Sequence, residues 1–132
     1  MLLIINNIKE GKAIFSFLLN NKFVQRIFKT GKNPNLAASL EKFLSGRGAS
    51  LKDIKYLGVV VGAGRFTATR LAVTFVNTLA FALKIPVFSL AENFLVDPVD
   101  VILKKAKAAK VGQYAIASYS GEARVGLPAG QV

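Results

Sequence analysis

The chain has 132 residues, a formal net charge of +11, and neither cysteine nor histidine. Its length fits one domain that buries most of a core of its own. The missing residue types exclude disulfides, Cys/His zinc sites, and any mechanism that uses histidine as a base or cysteine as a nucleophile.

The charge is unevenly distributed, with +6 on residues 1–50, +1 on residues 51–100 and +4 on residues 101–132. Basic flanks favour an anionic partner, either RNA or an acidic protein surface, and solubility alone is the other explanation. The mean hydropathy of +0.43 is high, so we expect a partner to cover some apolar surface. No membrane span is expected, because the most apolar twenty residues, 71–90, include Lys84 and Pro86.

The first thirty residues predict three antiparallel strands. Leu2 to Ile8, Ala13 to Leu19 and Lys22 to Lys29 are apolar or alternating, and they are separated by turn signals at Gly11 and at the pair Asn20–Asn21. The third strand carries charges that suit the edge of a sheet, namely Lys22, Arg26 and Lys29.

A helix is predicted next, with Asn33 as its cap and Pro34 in its first turn. Gly46 and Gly48 mark its end, and residues 50–53 resemble a capping box for a further helical turn. The apolar face of this helix consists of Leu36, Leu40, Phe43 and Leu44.

The central unit is a strand, a glycine turn, a long helix and a second strand. Leu57 to Val61 is too short and too β-branched for a helix, whereas Arg65 to Lys84 contains no internal glycine or proline. Pro86 prevents the helix from continuing, and Val87 to Leu90 predicts a strand parallel to the first.

The turn and helix start carry a resemblance to a known family. Residues 62–72 read Gly-Ala-Gly-Arg-Phe-Thr-Ala-Thr-Arg-Leu-Ala, which is similar to the signature Gly-Pro-Gly-Ser-Phe-Thr-Gly-x-Arg-x-Gly of the TsaB (YeaZ) family. The resemblance is good over Ser50 to Glu92 and weaker over Met1 to Gly48. The sequence departs from the signature at four positions, namely Ala63, Arg65, Ala68 and Ala72.

The resemblance implies an α/β fold of the ribonuclease H-like (actin-like ATPase) class. It also implies a non-catalytic, cytoplasmic scaffold subunit that binds the transferase TsaD, acts with an ATPase subunit, and reaches tRNA only indirectly. Homodimerisation is a further expectation. On this basis residues 1–96 would form the TsaB-like domain, without the second domain of the family. Residues 97–132 would form a basic helix over Pro98 to Lys110 and a short hairpin or tail, with a strand over Tyr114 to Tyr119 followed by a turn.

Two sets of site residues follow. The glycine turn presents free backbone N–H groups at a helix N-terminus and is a candidate anion or nucleotide site, although spacing alone favours a purely structural tight turn. This set comprises Gly62, Ala63, Gly64, Arg65 and Thr67. The helix layer is a candidate partner interface, or else the long helix is simply central in its layer. The interface set comprises Leu36, Leu40, Phe66, Thr69, Arg70, Val73, Val76, Asn77 and Ala80.

The sequence argues against catalysis. The resemblance places Asn6 where the family has an aspartate, and an amide cannot supply the charge that organises a metal. We therefore expect no catalytic residue, no metal and no cofactor, with ADP or ATP shared with a partner as an alternative. A nucleotide-binding enzyme and a self-associating RNA-binding module stay open as other functions. Magnesium-dependent nucleotide affinity would favour the enzyme, and salt-sensitive tRNA binding would favour the module.

Overall fold

A computed structural model describes residues 1–7, 11–29, 35–62 and 66–116, excluding the side chains of residues 66 and 67. The strands and helices of these residues follow the predicted order. They are β1 (Leu2–Asn6), β2 (Lys12–Leu19), β3 (Lys22–Lys29), α1 (Leu36–Gly46), β4 (Tyr56–Val60), α2 (Phe66–Leu83), β5 (Val87–Leu90) and α3 (Val99–Ala108). Short 3₁₀ turns lie at Leu51–Asp53 and Phe94–Val96.

The strands form one mixed sheet in the order β3-β2-β1-β4-β5. Strands β1, β2 and β3 pair antiparallel, whereas β1 with β4 and β4 with β5 pair parallel. The predicted mixed sheet is therefore confirmed. The parallel strands β1 and β4 end side by side, so Asn6 and Asn7 lie at the same sheet end as Gly62.

The β2–β3 hairpin turns at the predicted asparagines. Asn20 and Asn21 both have positive φ, 51° and 64°, which is the requirement of a type I′ turn and matches the twist of the two strands. Strand β3 is the edge of the sheet, as its charged residues predicted.

Helix α1 is capped differently from the prediction. The cap is Asn35, whose Oδ1 accepts a hydrogen bond of 3.0 Å from the backbone N–H of Ala38. The predicted cap, Asn33, was wrong by two residues and lies outside the described residues, as does Pro34. After α1, the predicted capping box is confirmed, because the Asp53 carboxylate accepts from the Ser50 backbone N–H at 2.8 Å.

Helix α2 ends at Leu83, one residue before the predicted end. Lys84 takes a left-handed conformation with φ of 57°, and the N–H of Ile85 donates to the carbonyl of Ala80. This is a Schellman-type end, and it is built here on lysine instead of the more usual glycine. No helix in the described part of the chain is long and apolar enough to cross a bilayer.

Each face of the sheet has its own apolar core. Helices α1 and α2 cover one face, where Phe15, Phe17 and Phe43 pack with the inner side of α2. Helix α3 covers part of the other face through Ile102 and Ala106. The helix predicted between Pro98 and Lys110 is thus confirmed.

The chain after α3 differs from the prediction. Residues 114–116 form no strand, and the rest of the strand predicted over residues 114–119 lies outside the described residues, with the turn and tail that were to follow it. Ala115 instead forms two hydrogen bonds of 2.9 Å with the side chain of Asn77 on α2.

Candidate functional site

The glycine turn lies between the end of β4 and the start of α2. Gly62 has φ of 110°, a conformation that side-chain-bearing residues rarely adopt, so glycine is required there for backbone reasons. The other predicted anion-site positions, Ala63, Gly64, Arg65 and the side chain of Thr67, lie outside the described residues. The anion site therefore stays a prediction.

Asn7 connects β1 to the first turn of α2. Its side chain is buried, and Nδ2 donates a hydrogen bond of 3.2 Å to the backbone carbonyl of Ala68. The sequence analysis did not single out Asn7, because its partner lies 61 residues away along the chain. This bond links the first turns of α2 to the end of β1.

The end of β1 also bears on nucleotide binding. Asn6 is buried beside Asn7, so this strand end carries two neutral amides and, among the described residues, no carboxylate. Amides cannot balance the charge of a magnesium-bound polyphosphate. Among the described residues, no three carboxylates lie close enough together to hold a metal ion. The described part of this strand end does not fit a magnesium nucleotide.

Most of the residues predicted to face a partner lie inside the molecule. The side chains of Thr69, Val73, Val76 and Ala80 are 0–7% exposed, because this side of α2 packs on the sheet. Leu36 is buried in the same core at 4% exposure. These five residues cannot form a contact surface without unfolding, and placing them at an interface was wrong.

The other predicted interface residues have separate positions. Arg70 is exposed near the start of α2, whereas Leu40, at 4% exposure, is buried in the same core as Leu36. The side chain of Asn77 is half-buried and bonded to Ala115, so it holds the chain's own backbone. The side chain of Phe66 lies outside the described residues.

Thr69 has an unusual environment for a polar residue. Its side chain is fully buried, and Oγ1 has no hydrogen-bond partner in the described part of the chain. A buried hydroxyl without a partner carries a desolvation cost of about 1–3 kcal/mol. The methyl group of threonine packs in the core, and the hydroxyl adds nothing to the described contacts.

The outer side of the helix layer contains an apolar groove between α1 and α2, which we call the helix groove. Its volume is about 950 Å³. Leu40 and Leu44 of α1 are buried at its base, at 4% and 5% exposure, and the open part of its floor consists of the partly covered Phe75, Leu79 and Leu83 of α2. The remaining lining residues are small or polar, namely Asn35, Ala37, Ala38, Glu41, Ser45, Ala49, Ser50, Leu51 and Lys52.

The spacing of the groove residues suits a helical partner. Phe75, Leu79 and Leu83 are four residues apart, so they form one ridge along α2. Small side chains at Ala37 and Ala38 leave room beside that ridge on α1. An amphipathic helix lying in such a groove would bury its apolar face against both helices.

At one end of the groove, the rim is the polar turn of residues 50–53, which the Ser50–Asp53 capping box holds in place. There the Ser50 backbone N–H, by donating to the carboxylate of Asp53, lowers the pKa of that carboxyl below its ordinary value. Leu51 lies within this capped turn and is 44% exposed, at the edge of the groove. The capped turn therefore presents an apolar side chain in a defined position.

Comparison with solved structures gives a match at the level of the fold. YeaZ from Pseudomonas aeruginosa superposes with a TM-score of 0.59 and 23% sequence identity, over 68% of this chain and 42% of that chain. The described fold is similar to that of YeaZ. A second structure, an uncharacterized protein with similarity to peptidase YeaZ from Pseudomonas aeruginosa, matches with a TM-score of 0.57 and the same identity and coverage.

The match to YeaZ supports the α/β architecture and has a limited extent. The chain spans less than half the length of the YeaZ structures that it matches. No model of a protein family matches the sequence, and the search of curated proteins gives no match either. Shared architecture indicates the fold, and function must be argued from the helix groove and its surroundings.

Proposed function

We propose that the chain is a non-catalytic, cytoplasmic scaffold subunit of the tRNA threonylcarbamoyladenosine modification complex, and that it binds a TsaD-like transferase subunit through the helix groove. The helix groove is the observation that carries this proposal. It is an open apolar surface on the helix layer of a YeaZ-like fold, and the signature-like residues 62–72 begin the helix that forms one of its walls.

The proposal includes the ribonuclease H-like class of the fold and membership of the TsaB family. Three antiparallel strands followed by two parallel crossover strands support the class. The kept signature positions Gly62, Gly64, Phe66, Thr67 and Arg70 support the family. The ATPase subunit and the adenosine of tRNA that is modified would be reached through the transferase subunit.

The chain itself is proposed to catalyse no step. The amides of Asn6 and Asn7 support this, because they stand at the strand end where the resemblance implies a metal-organising carboxylate. The isolated chain should therefore show no ATP hydrolysis. Turnover that disappears on mutating Arg65 or Thr67 would contradict the proposal and favour a nucleotide-binding enzyme.

The binding test uses a substitution that fills the groove from its exposed side. Ala37 is exposed and lines the helix groove, so Ala37→Arg should block it without disturbing the core. Isothermal titration against a TsaD subunit should show at least a tenfold loss of affinity, which is about 1.4 kcal/mol. The matched control is Thr74→Arg, an exposed position on α2 that does not line the groove.

Retained binding by Ala37→Arg would contradict the proposed surface, provided that both variants melt at the wild-type temperature. Absence of binding by the wild-type chain would contradict the proposed partner. The two results are distinguishable, since the second requires no variant.

A further inference from the structure

A second concave surface lies at the opposite edge of α1 and is basic instead of apolar. Arg26 on β3, Lys42 on α1 and Arg47 just after α1 line a cleft of about 340 Å³. We call it the basic cleft. Its remaining lining residues are Ile27, Phe28, Phe43 and Gly46.

The sheet register directs Arg26 toward α1. Arg26 pairs with Phe15 across the antiparallel ladder, so both side chains leave the same face of the sheet, the face that α1 covers. Lys22 lies four residues earlier on the same strand and so faces the same way. Four residues of strand span about 13 Å, at roughly 3.3 Å per residue.

Arg47 is held in place by aromatic rings. Its guanidinium carbon lies 3.8 Å from the centre of the Phe17 ring and 5.9 Å from that of Phe43. Such cation–π contacts stabilise an arginine in one orientation and leave its N–H groups able to donate to a ligand. Ordering this side chain on binding would therefore cost less entropy than ordering a free arginine.

The basic cleft has no acidic counterpart among the described residues. No carboxylate lines it, and none of its three cations forms an ion pair with a described acidic side chain. Glu41, next to Lys42 in sequence, faces the helix groove instead. Protection of an edge strand from aggregation is enough to explain why a charged residue stands at position 22. They do not explain why cations from three positions in the chain line one cleft.

We propose that the basic cleft, extended by Lys22, binds the phosphate backbone of RNA. Lys22 lies outside the cleft, about 13 Å from Arg26 along β3, so an extended polyanion that enters the cleft can also contact Lys22, whereas a single phosphate cannot. Phe17 and Phe43 are buried beneath the cleft, and Phe28 in its wall is half-buried with its ring 5.4 Å from that of Phe15, so no ring of the cleft is fully open for a base to stack on. Recognition would therefore depend on backbone charge and not on base identity.

The overall charge agrees with an RNA ligand. The chain carries a net charge of +11, which attracts the most densely charged polyanions over long distances and raises their rate of association. The basic cleft and the helix groove lie on opposite sides of α1, so binding RNA is separate from binding a protein partner at the helix groove.

The test measures binding of the full chain to a fluorescein-labelled single-stranded RNA of about 20 nucleotides, long enough for a basic groove of this type. Fluorescence anisotropy is recorded over a series of KCl concentrations. The double variant Arg26→Gln/Lys42→Gln should weaken binding about tenfold at low salt. It should also reduce the slope of log affinity against log salt by about 1–2.

The matched control removes two charges elsewhere. Lys104→Gln/Lys107→Gln alters exposed lysines on α3, against the other face of the sheet, and loses the same net charge. This control should keep the wild-type slope and an affinity within about twofold of wild type. All the substituted positions are exposed, so thermal melting should be unchanged for both variants.

Four outcomes would overturn the proposal. The first two are absence of RNA binding by the wild-type chain and equal weakening of binding by the two double variants. The other two are displacement of the RNA by polyglutamate, or by inorganic phosphate, at the same concentration of charge as the RNA. Polyglutamate competition would indicate an acidic protein partner, and phosphate competition a small-anion site.

Discussion

Gly58 in β4 is the glycine with the least space around it among those described. A Cβ atom added there would lie 2.9 Å from Cζ of Phe88 and 3.0 Å from Cγ1 of Ile4. Both neighbours are buried on the face that α3 covers, so neither side chain can move toward solvent. The absence of a side chain at Gly58 is what allows the Phe88 ring to lie across β4.

Gly58→Ala should therefore destabilise the protein by about 1–3 kcal/mol, the usual cost of overpacking a core. Gly46→Ala is the control, because no atom lies within 4 Å of the Cβ position there and the residue ends α1. The control should be neutral or slightly more stable, since alanine restricts the unfolded chain. Urea unfolding of the two variants measures the difference, and equal free energies of unfolding would show that Phe88 can move aside.

At the scale of single elements, local sequence patterns predicted the strands and helices with few errors. The Asn20–Asn21 turn, the Ser50–Asp53 capping box and the stop before Pro86 all depend on contacts within a few residues, and the structure contains each of them. The cap of α1 was wrong by two residues because Asn33 and Asn35 offer the same chemistry, and a pattern cannot choose between them.

The orientation of α2 could not be predicted in the same way. Apolar residues occupy most of its circumference, so the helical period does not reveal which side packs on the sheet. Val76 and Ala80 were consequently placed at an interface, although they are core residues. The partner of Asn77 lies 38 residues further along the chain, and no local pattern connects the two.

The Asn77 side chain should control the segment that follows α3. It donates to the carbonyl of Ala115 and accepts from its N–H, both at 2.9 Å, and so replaces a strand partner for that residue. Asn77→Ala should cost about 1–3 kcal/mol for two hydrogen bonds, most of it in this segment.

Hydrogen exchange of the peptide spanning residues 109–116 measures the effect of Asn77→Ala. Its amides should exchange faster in the variant, while those of β1 and β4 keep their relative protection. Thr78→Ala, at the neighbouring exposed position, should leave the same peptide unchanged. Unaltered protection in Asn77→Ala would mean that other contacts hold the segment in place.

For the whole molecule, the main feature is that the helix layer has surfaces of opposite character on the two sides of α1. The apolar helix groove is on one side and the basic cleft is on the other. The helix groove exposes a continuous row of apolar side chains, and a second copy docking there would remove them from water. We therefore expect the isolated protein to associate with a second copy through the helix groove.

Leu79→Glu tests self-association, because Leu79 lines the helix groove and is only half-buried. A carboxylate there would have to be desolvated in the dimer, which costs several kcal/mol, whereas in the monomer it can reach water. Sedimentation velocity should show a concentration-dependent dimer for wild type and a monomer for Leu79→Glu. Thr74→Glu introduces the same charge about 140° away around α2 and should still dimerise. A wild-type protein that stays monomeric at every concentration would contradict this prediction. Equal loss of the dimer in the two glutamate variants would also contradict it, because the effect would then come from the added charge and not from its place in the groove.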